Sequence, residues 1–168
     1  MFDLRPTTDL SKAELYRELA GQLAGVTEGE NDAVANLANA AAILFHGLPD
    51  LNWAGFYLAK DGELVLGPFQ GRAACIRIAF GKGVCGAAAL TRATQIVADV
   101  HAFPGHIACD AATRSELVVP LLEGERLIGV LDLDSPTPAR FDASDAAGVE
   151  AFARVLKGVL ARAKAESD

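Results

Sequence analysis

With 168 residues, 51% of them hydrophobic and 22% charged, the chain has the length of one domain and enough apolar content to build a full core, which excludes a disordered chain. Its formal net charge of −7 repels a phosphate backbone, so no nucleic-acid partner is expected. No stretch reaches the ~18 apolar residues of a spanning helix, and the N-terminus shows no basic region followed by an apolar run. No membrane partner and no secretory signal are therefore expected, and the compartment that fits is the cytoplasm.

No internal repeat, low-complexity tract or linker interrupts the chain, so a single domain over 1–168 is expected. The first element is a helix over "SKAELYRELAGQLAG". Ser11 and Glu14 form a capping-box pattern, Leu15, Leu19 and Leu23 recur at helical spacing, and Gly25 ends the run. A second helix, "ENDAVANLANAAAILFHGL", is capped by Asn31 or Asp32 and stops at Gly47. The period then changes. "NWAGFYLA" and "ELVLGPF" are strands joined by Asp61-Gly62, a hairpin signal. "CIRIAF" alternates and predicts a third strand. "GKGVCGAAAL" is a glycine-rich turn entering a short helix, and "TQIVADV" is a fourth strand. Residues 101–115 have no periodicity, and long connections of this kind are often functional. "ELVVPLLEGERLIGVLDLDS" predicts two strands around Glu123-Gly124-Glu125, and "DASDAAGVEAFARVLKGVLARAKAE" a final helix capped by Asp142 or Ser144. The order predicts an α+β fold: an antiparallel sheet of about six strands, with the N- and C-terminal helices gathered on one side.

Three segments could carry chemistry. "HIACDAATRSE" places Cys109 in the aperiodic connection among His106, Asp110, Arg114 and Glu116. Free cysteines are mostly buried fillers, but a polar loop is a poor place for one. A metal centre would use His101, His106 and Cys109 with Cys75 or Cys85. The cysteines are separated by nine and 23 residues and no tight ligand pair exists, so no metal is expected. A redox role suits three spread cysteines, because a sulfenic acid on one thiol is resolved by another. Cys85 stands where a helix begins, beside Lys82, and local sequence makes it the more acidic thiol. The polar neighbours cluster instead around Cys109, so local sequence leaves the nucleophile open.

In "GVLDLDSP", Asp132 and Asp134 lie two apart on a strand and share one face, with Leu131 and Leu133 on the other. Two adjacent carboxylates suit a solvated strand end or a site for an ammonium group. Glu116, opening the neighbouring strand, can project toward the same region; near apolar walls its carboxyl stays protonated and can donate a proton. In "NWAGFYL", Trp53, Gly55 and Tyr57 share a strand face. The chain's one tryptophan is either a core aromatic or the wall of a ligand pocket.

Together, "NWAGFYL", "LGPFQGRAACIRI", "GKGVCGAAA", "VADVHAFPGHIACD", "SELVVPL" and "GVLDLDSP" resemble the signature segments of the free methionine-(R)-sulfoxide reductases, small enzymes built on a GAF-type domain. The resemblance runs from about residue 30 to residue 155 and includes all three cysteines. It implies a GAF-like fold, no cofactor, and reduction of free L-methionine (R)-sulfoxide to methionine. It further implies that Cys109 is the nucleophile and that Glu116 hydrogen-bonds or protonates the sulfoxide oxygen. Cys85 or Cys75 would resolve the sulfenic acid as a disulfide, with thioredoxin as reductant. Asp132 and Asp134 would hold the substrate ammonium, and Trp53 and Tyr57 would wall the sulfoxide methyl. A homodimer through the N-terminal helices or the C-terminal helix is also implied.

Two other functions compete. A non-catalytic GAF sensor would bind a small ligand without turnover, but it has no need of three cysteines and is usually fused to an output domain. A thiol peroxidase or redox switch uses the cysteines and leaves Asp132 and Asp134 idle.

Overall fold

The computed structural model describes residues 10–105 and 110–165. Helix α1 (Lys12–Val26) starts at the expected capping box: Ser11 Oγ accepts from Glu14 N at 3.3 Å, and Glu14 Oε2 accepts from Ser11 N at 2.9 Å. The helix continues through Gly25 to Val26 and closes at Thr27, whose N–H reaches back to Leu23. Helix α2 (Ala33–Gly47) takes Asp32, not Asn31, as its cap, with Oδ1 accepting from Ala35 N at 2.8 Å.

Strands β1 (Trp53–Lys60) and β2 (Glu63–Gly71) form the predicted hairpin. Asp61 and Gly62 both have positive φ, 50° and 85°, as a two-residue turn matching strand twist requires. Strand β3 (Arg77–Ala79) is half the predicted length, because it pairs only with Glu63–Val65 at the sheet edge. After helix α3 (Gly83–Thr91) comes β4 (Gln95–Val97), the opposite edge. Strands β5 (Ser115–Glu123) and β6 (Arg126–Ser135) are the central pair with β1, and helix α4 (Ala143–Ala165) closes the chain. Asp142, not Ser144, caps α4: its Oδ1 accepts from Ser144 N at 2.8 Å and Asp145 N at 3.0 Å.

The sheet order is β3-β2-β1-β6-β5-β4, antiparallel throughout. Two-residue alternation divides the strands between two cores. On one face, Ala54, Phe56, Leu117, Val119, Leu131 and Leu133 pack under α1, α2 and α4, the expected helical side. Asp145 binds α1 to α4 there: it is 1% exposed and accepts from Tyr16 Oη at 2.9 Å, Lys12 Nζ at 2.6 Å and Arg140 Nη1 at 3.2 Å. On the other face, Trp53, Tyr57, Val118 and Val130 meet Val84, Cys85 and Ala88 of α3. A nine-residue helix cannot cover a six-stranded sheet, and a cavity opens beside it.

Candidate active site

The cavity lies over the middle of the sheet, where register sets its floor. Trp53 pairs with Asp134, and Asp134 with Glu116; Gly55 pairs with Asp132. Trp53, Tyr57, Glu116, Asp132 and Asp134 therefore share the face that α3 covers, and all five line the cavity with Cys85. Gly55 permits this. A Cβ there would stand 2.3 Å from Phe69 Cβ and 2.7 Å from the Trp53 ring. The indole instead lies along the strand, stacked on Phe69 at 5.3 Å and on Tyr57 at 5.9 Å between centroids. Both aromatics also hold the segment after β2: Trp53 Nε1 donates to the Arg72 carbonyl at 3.1 Å, and Tyr57 Oη to the Cys75 carbonyl at 3.0 Å.

The carboxyl groups face each other inside the protein. Glu116 is 7% and Asp132 5% exposed; Asp134 is half-buried. Burial raises Glu116 well above the usual carboxyl range, and the charges of Asp132 and Asp134 raise it further. Burial also lifts Asp132, to about 7, against the lowering effect of hydrogen bonds from Cys85 and Glu116. Asp134 is raised by burial and then by Asp132. The arrangement provides a protonated acid, Glu116, beside carboxylates that a cation would stabilise. Asp132 Oδ1 is buried and has no hydrogen-bond partner among the described residues, a position that calls for a donor from a ligand.

Cys85 corrects an expectation. At the start of α3 beside Lys82 it reads as an acidic thiol; in the fold its pKa is raised well above the ordinary value. Burial is the largest cause, followed by Asp132 and Glu116. The Cys85 thiol donates to Asp132 Oδ2 at 3.2 Å and lies 3.8 Å from Glu116 Oε1. Lys82 is exposed, and one helix terminus supplies only about half a charge, too little against burial and three carboxyls. Cys85 is a free thiol, whereas Cys75 is disulfide-bonded and half-buried. Cys109 and His106 lie outside the described residues. The ligand atoms of Cys85, Glu116 and Asp132 lie within 4.8 Å of one another; His101 and Cys75 are not in that group.

Some residues in and around the cavity carry no sequence signal. Asn52 Nδ2 donates to Asp110 Oδ2 at 3.2 Å and to Thr113 Oγ1 at 2.9 Å, fastening the end of the long connection to β1. Asp110 Oδ1 accepts from Ala112 N at 2.9 Å, a local Asx turn that lowers the Asp110 pKa. Arg72, with its side chain 81% exposed, stands 4.0 Å from Asp110 at the rim. Gly83 N donates to the Gly105 carbonyl at 3.2 Å, so the connection is tied to α3 as well. Asp110 is legible as a loop former; its distant partner is not.

A sheet with three helices on one face and a ligand-sized cavity under a short helix on the other defines a small-molecule-binding domain. The GAF domain model matches residues 31–160, and the chain has the GAF fold. A putative GAF sensor protein from Burkholderia vietnamiensis is 58% identical, with a TM-score of 0.88 over 92% of this chain and 98% of that one. Free methionine-R-sulfoxide reductase from Neisseria meningitidis, solved in complex with its substrate, is 46% identical, with a TM-score of 0.92 over 100% of both chains. Free methionine-R-sulfoxide reductase of Escherichia coli is 48% identical over 90% of this chain and 92% of its own length. The chain belongs to the free methionine-R-sulfoxide reductases, a family of oxidoreductases.

Proposed function

We propose that this chain reduces free L-methionine (R)-sulfoxide to L-methionine, with Cys109 as nucleophile. The observation that carries the reading is the group of three carboxyls beneath an aromatic wall, Glu116 and Asp132 buried and Asp132 Oδ1 without a partner among the described residues. A free amino acid supplies the ammonium that this arrangement lacks. A methionine within a protein has an amide nitrogen at that point, and would leave buried carboxylates unpaired. Asp132 and Asp134 hold the ammonium, while Trp53 and Tyr57 enclose the methyl-sulfoxide end. No cofactor takes part in the scheme.

The Cys109 thiolate attacks the sulfoxide sulfur as Glu116 gives its proton to the oxygen. Oxygen transfer releases methionine and leaves Cys109 as a sulfenic acid, sulfur being oxidised on the enzyme and reduced on the substrate. A second thiol displaces water from it and forms a disulfide. Cys75 is the resolving cysteine in this scheme: it is disulfide-bonded and half-buried, while Cys85 stays a free, buried thiol with a raised pKa. A dithiol protein of the thioredoxin type restores both thiols by exchange. Dependence on such a reductant suits the cytoplasm. The reading also takes residues 1–168 as one domain that pairs as a homodimer, which sedimentation would check.

Thioredoxin-coupled NADPH consumption tests the function against both sulfoxide epimers. Turnover of the (R) form and not the (S) form is expected. Tight binding without turnover would assign the chain to the sensors, and turnover of peroxide alone to the thiol peroxidases.

A further inference from the structure

Cys85 has no electron-transfer role in that scheme, yet it is 4% exposed and points its sulfur at two carboxyls. A filler would not need them. Zinc binds with about 2.3 Å to sulfur and about 2.0–2.2 Å to oxygen, and at tetrahedral angles these bonds put neighbouring ligand atoms roughly 3.5 Å apart. Cys85 Sγ stands 3.2 Å from Asp132 Oδ2 and 3.8 Å from Glu116 Oε1, on either side of that spacing. The three side chains come from α3, β5 and β6, so regular structure on three sides fixes them. Asp132 is 5% exposed and lines the cavity with its Oδ1 unpartnered among the described residues, a second sign of a missing ligand. The cavity leaves the fourth position open.

We propose that Cys85, Glu116 and Asp132 form a binding site for one soft or borderline divalent cation of the zinc and cadmium class, and that the bound cation excludes the substrate. One thiolate among oxygen ligands selects these ions over magnesium and calcium. The metal site rests on the three side chains alone; exclusion of the substrate rests on the function proposed above, because Glu116 and Asp132 cannot serve the sulfoxide and a metal together. The cation is then a reversible brake that leaves the redox cysteines untouched.

Cadmium is the direct probe, because a thiolate bound to it gives an ultraviolet charge-transfer band. The titration uses the oxidised chain, in which Cys75 is held in its disulfide and Cys85 is free. A band saturating at one cadmium per chain is expected. Cys85→Ser should abolish it, while Asp132→Asn and Glu116→Gln, which keep side-chain shape and the fold, should each weaken cadmium at least tenfold. No band in the unaltered chain, a band surviving Cys85→Ser, or affinity unchanged in both carboxyl variants would overturn the site. Zinc should displace cadmium and abolish the band. Free methionine (R)-sulfoxide should raise the apparent cadmium dissociation constant in proportion to its concentration. Simultaneous binding of both would overturn the exclusion. A sulfoxide that fails to change Trp53 emission in metal-free protein would refute the functional reading, while the cadmium band would still support the metal site.

Discussion

Tyr57 donates its hydroxyl proton to the main-chain carbonyl of Cys75 at 3.0 Å, joining the aromatic wall of the cavity to the backbone of a disulfide-bonded cysteine. Burial and the neighbouring carboxylates raise the Tyr57 pKa, so the phenol remains a donor. Tyr57→Phe keeps the ring and removes this tie. Stability should fall by about 1 kcal/mol in chemical denaturation, the usual size of one such bond. Disulfide formation after a single turnover should slow, read by quenched-flow thiol counting. An unchanged rate would show that the bond does not position Cys75.

Cys109→Ser should abolish sulfoxide turnover and leave thermal unfolding within about 1 kcal/mol of the unaltered chain, the usual size of a single conservative exchange. Retained turnover would move the nucleophile elsewhere. Cys85→Ser should keep a large part of single-turnover methionine release, since the scheme gives Cys85 no step in it. Loss of that first release would assign Cys85 a chemical role.

Asp132 predicts opposed effects on binding and stability. Its pKa is about 7 in the fold and near 3.8 when unfolded, so its contribution to stability is complete below 3.8 and is lost as pH rises through about 7. The ligand-free chain should therefore lose stability across that window. Asp132→Asn cannot ionise, so its Tm should exceed that of the unaltered chain at pH 8 by several degrees and match it toward pH 4. Substrate binding runs the other way. An ammonium needs the ionised carboxylate, so KM should fall as pH rises through about 7, and Asp132→Asn should raise KM at least tenfold. A flat KM profile with unchanged kcat would refute the ammonium site.

Asp134→Ala should act mainly on KM, because the scheme gives its carboxyl the substrate ammonium and gives proton transfer to Glu116, its neighbour across the strands. A large fall in kcat with KM unchanged would instead give Asp134 a part in the chemistry.

Gly148 tests the helical face. A Cβ there would stand 2.2 Å from the Tyr16 ring, which lies against α4 and donates to Asp145. Gly148→Ala should cost roughly 1–3 kcal/mol as overpacking in a filled core. It should leave KM unaltered, since α1 and α4 lie on the face of the sheet opposite the cavity. A change in KM at equal stability would show that the two faces communicate.

Much of this arrangement follows from short-range pattern. Strand alternation alone puts Asp132 with Asp134, and Trp53 with Tyr57. The hairpin turns, the caps and the helical side all have local causes. What was illegible depends on distance along the chain. The helix terminus and Lys82 spoke for an acidic Cys85, while the carboxyls that reverse it come from residues 31 and 47 positions away. The tie between Asn52 and Thr113 spans 61 positions and has no local signature. β3 and β4 are short because each has a partner on one side only, a property of sheet order and not of their own residues.

The alternation along β6 also makes reading frame a structural property. Leu131 and Leu133 fill the helical core while Asp132 and Asp134 floor the cavity, and each pair occupies the positions the other cannot. Deleting one residue at the strand's centre would turn carboxylates into the core and leucines into the cavity. A deletion at Gly124 falls in the turn before the strand and leaves the alternation within β6 itself unbroken. Evolution can therefore lengthen or shorten this protein at its turns, but along β6 it can substitute and cannot shift.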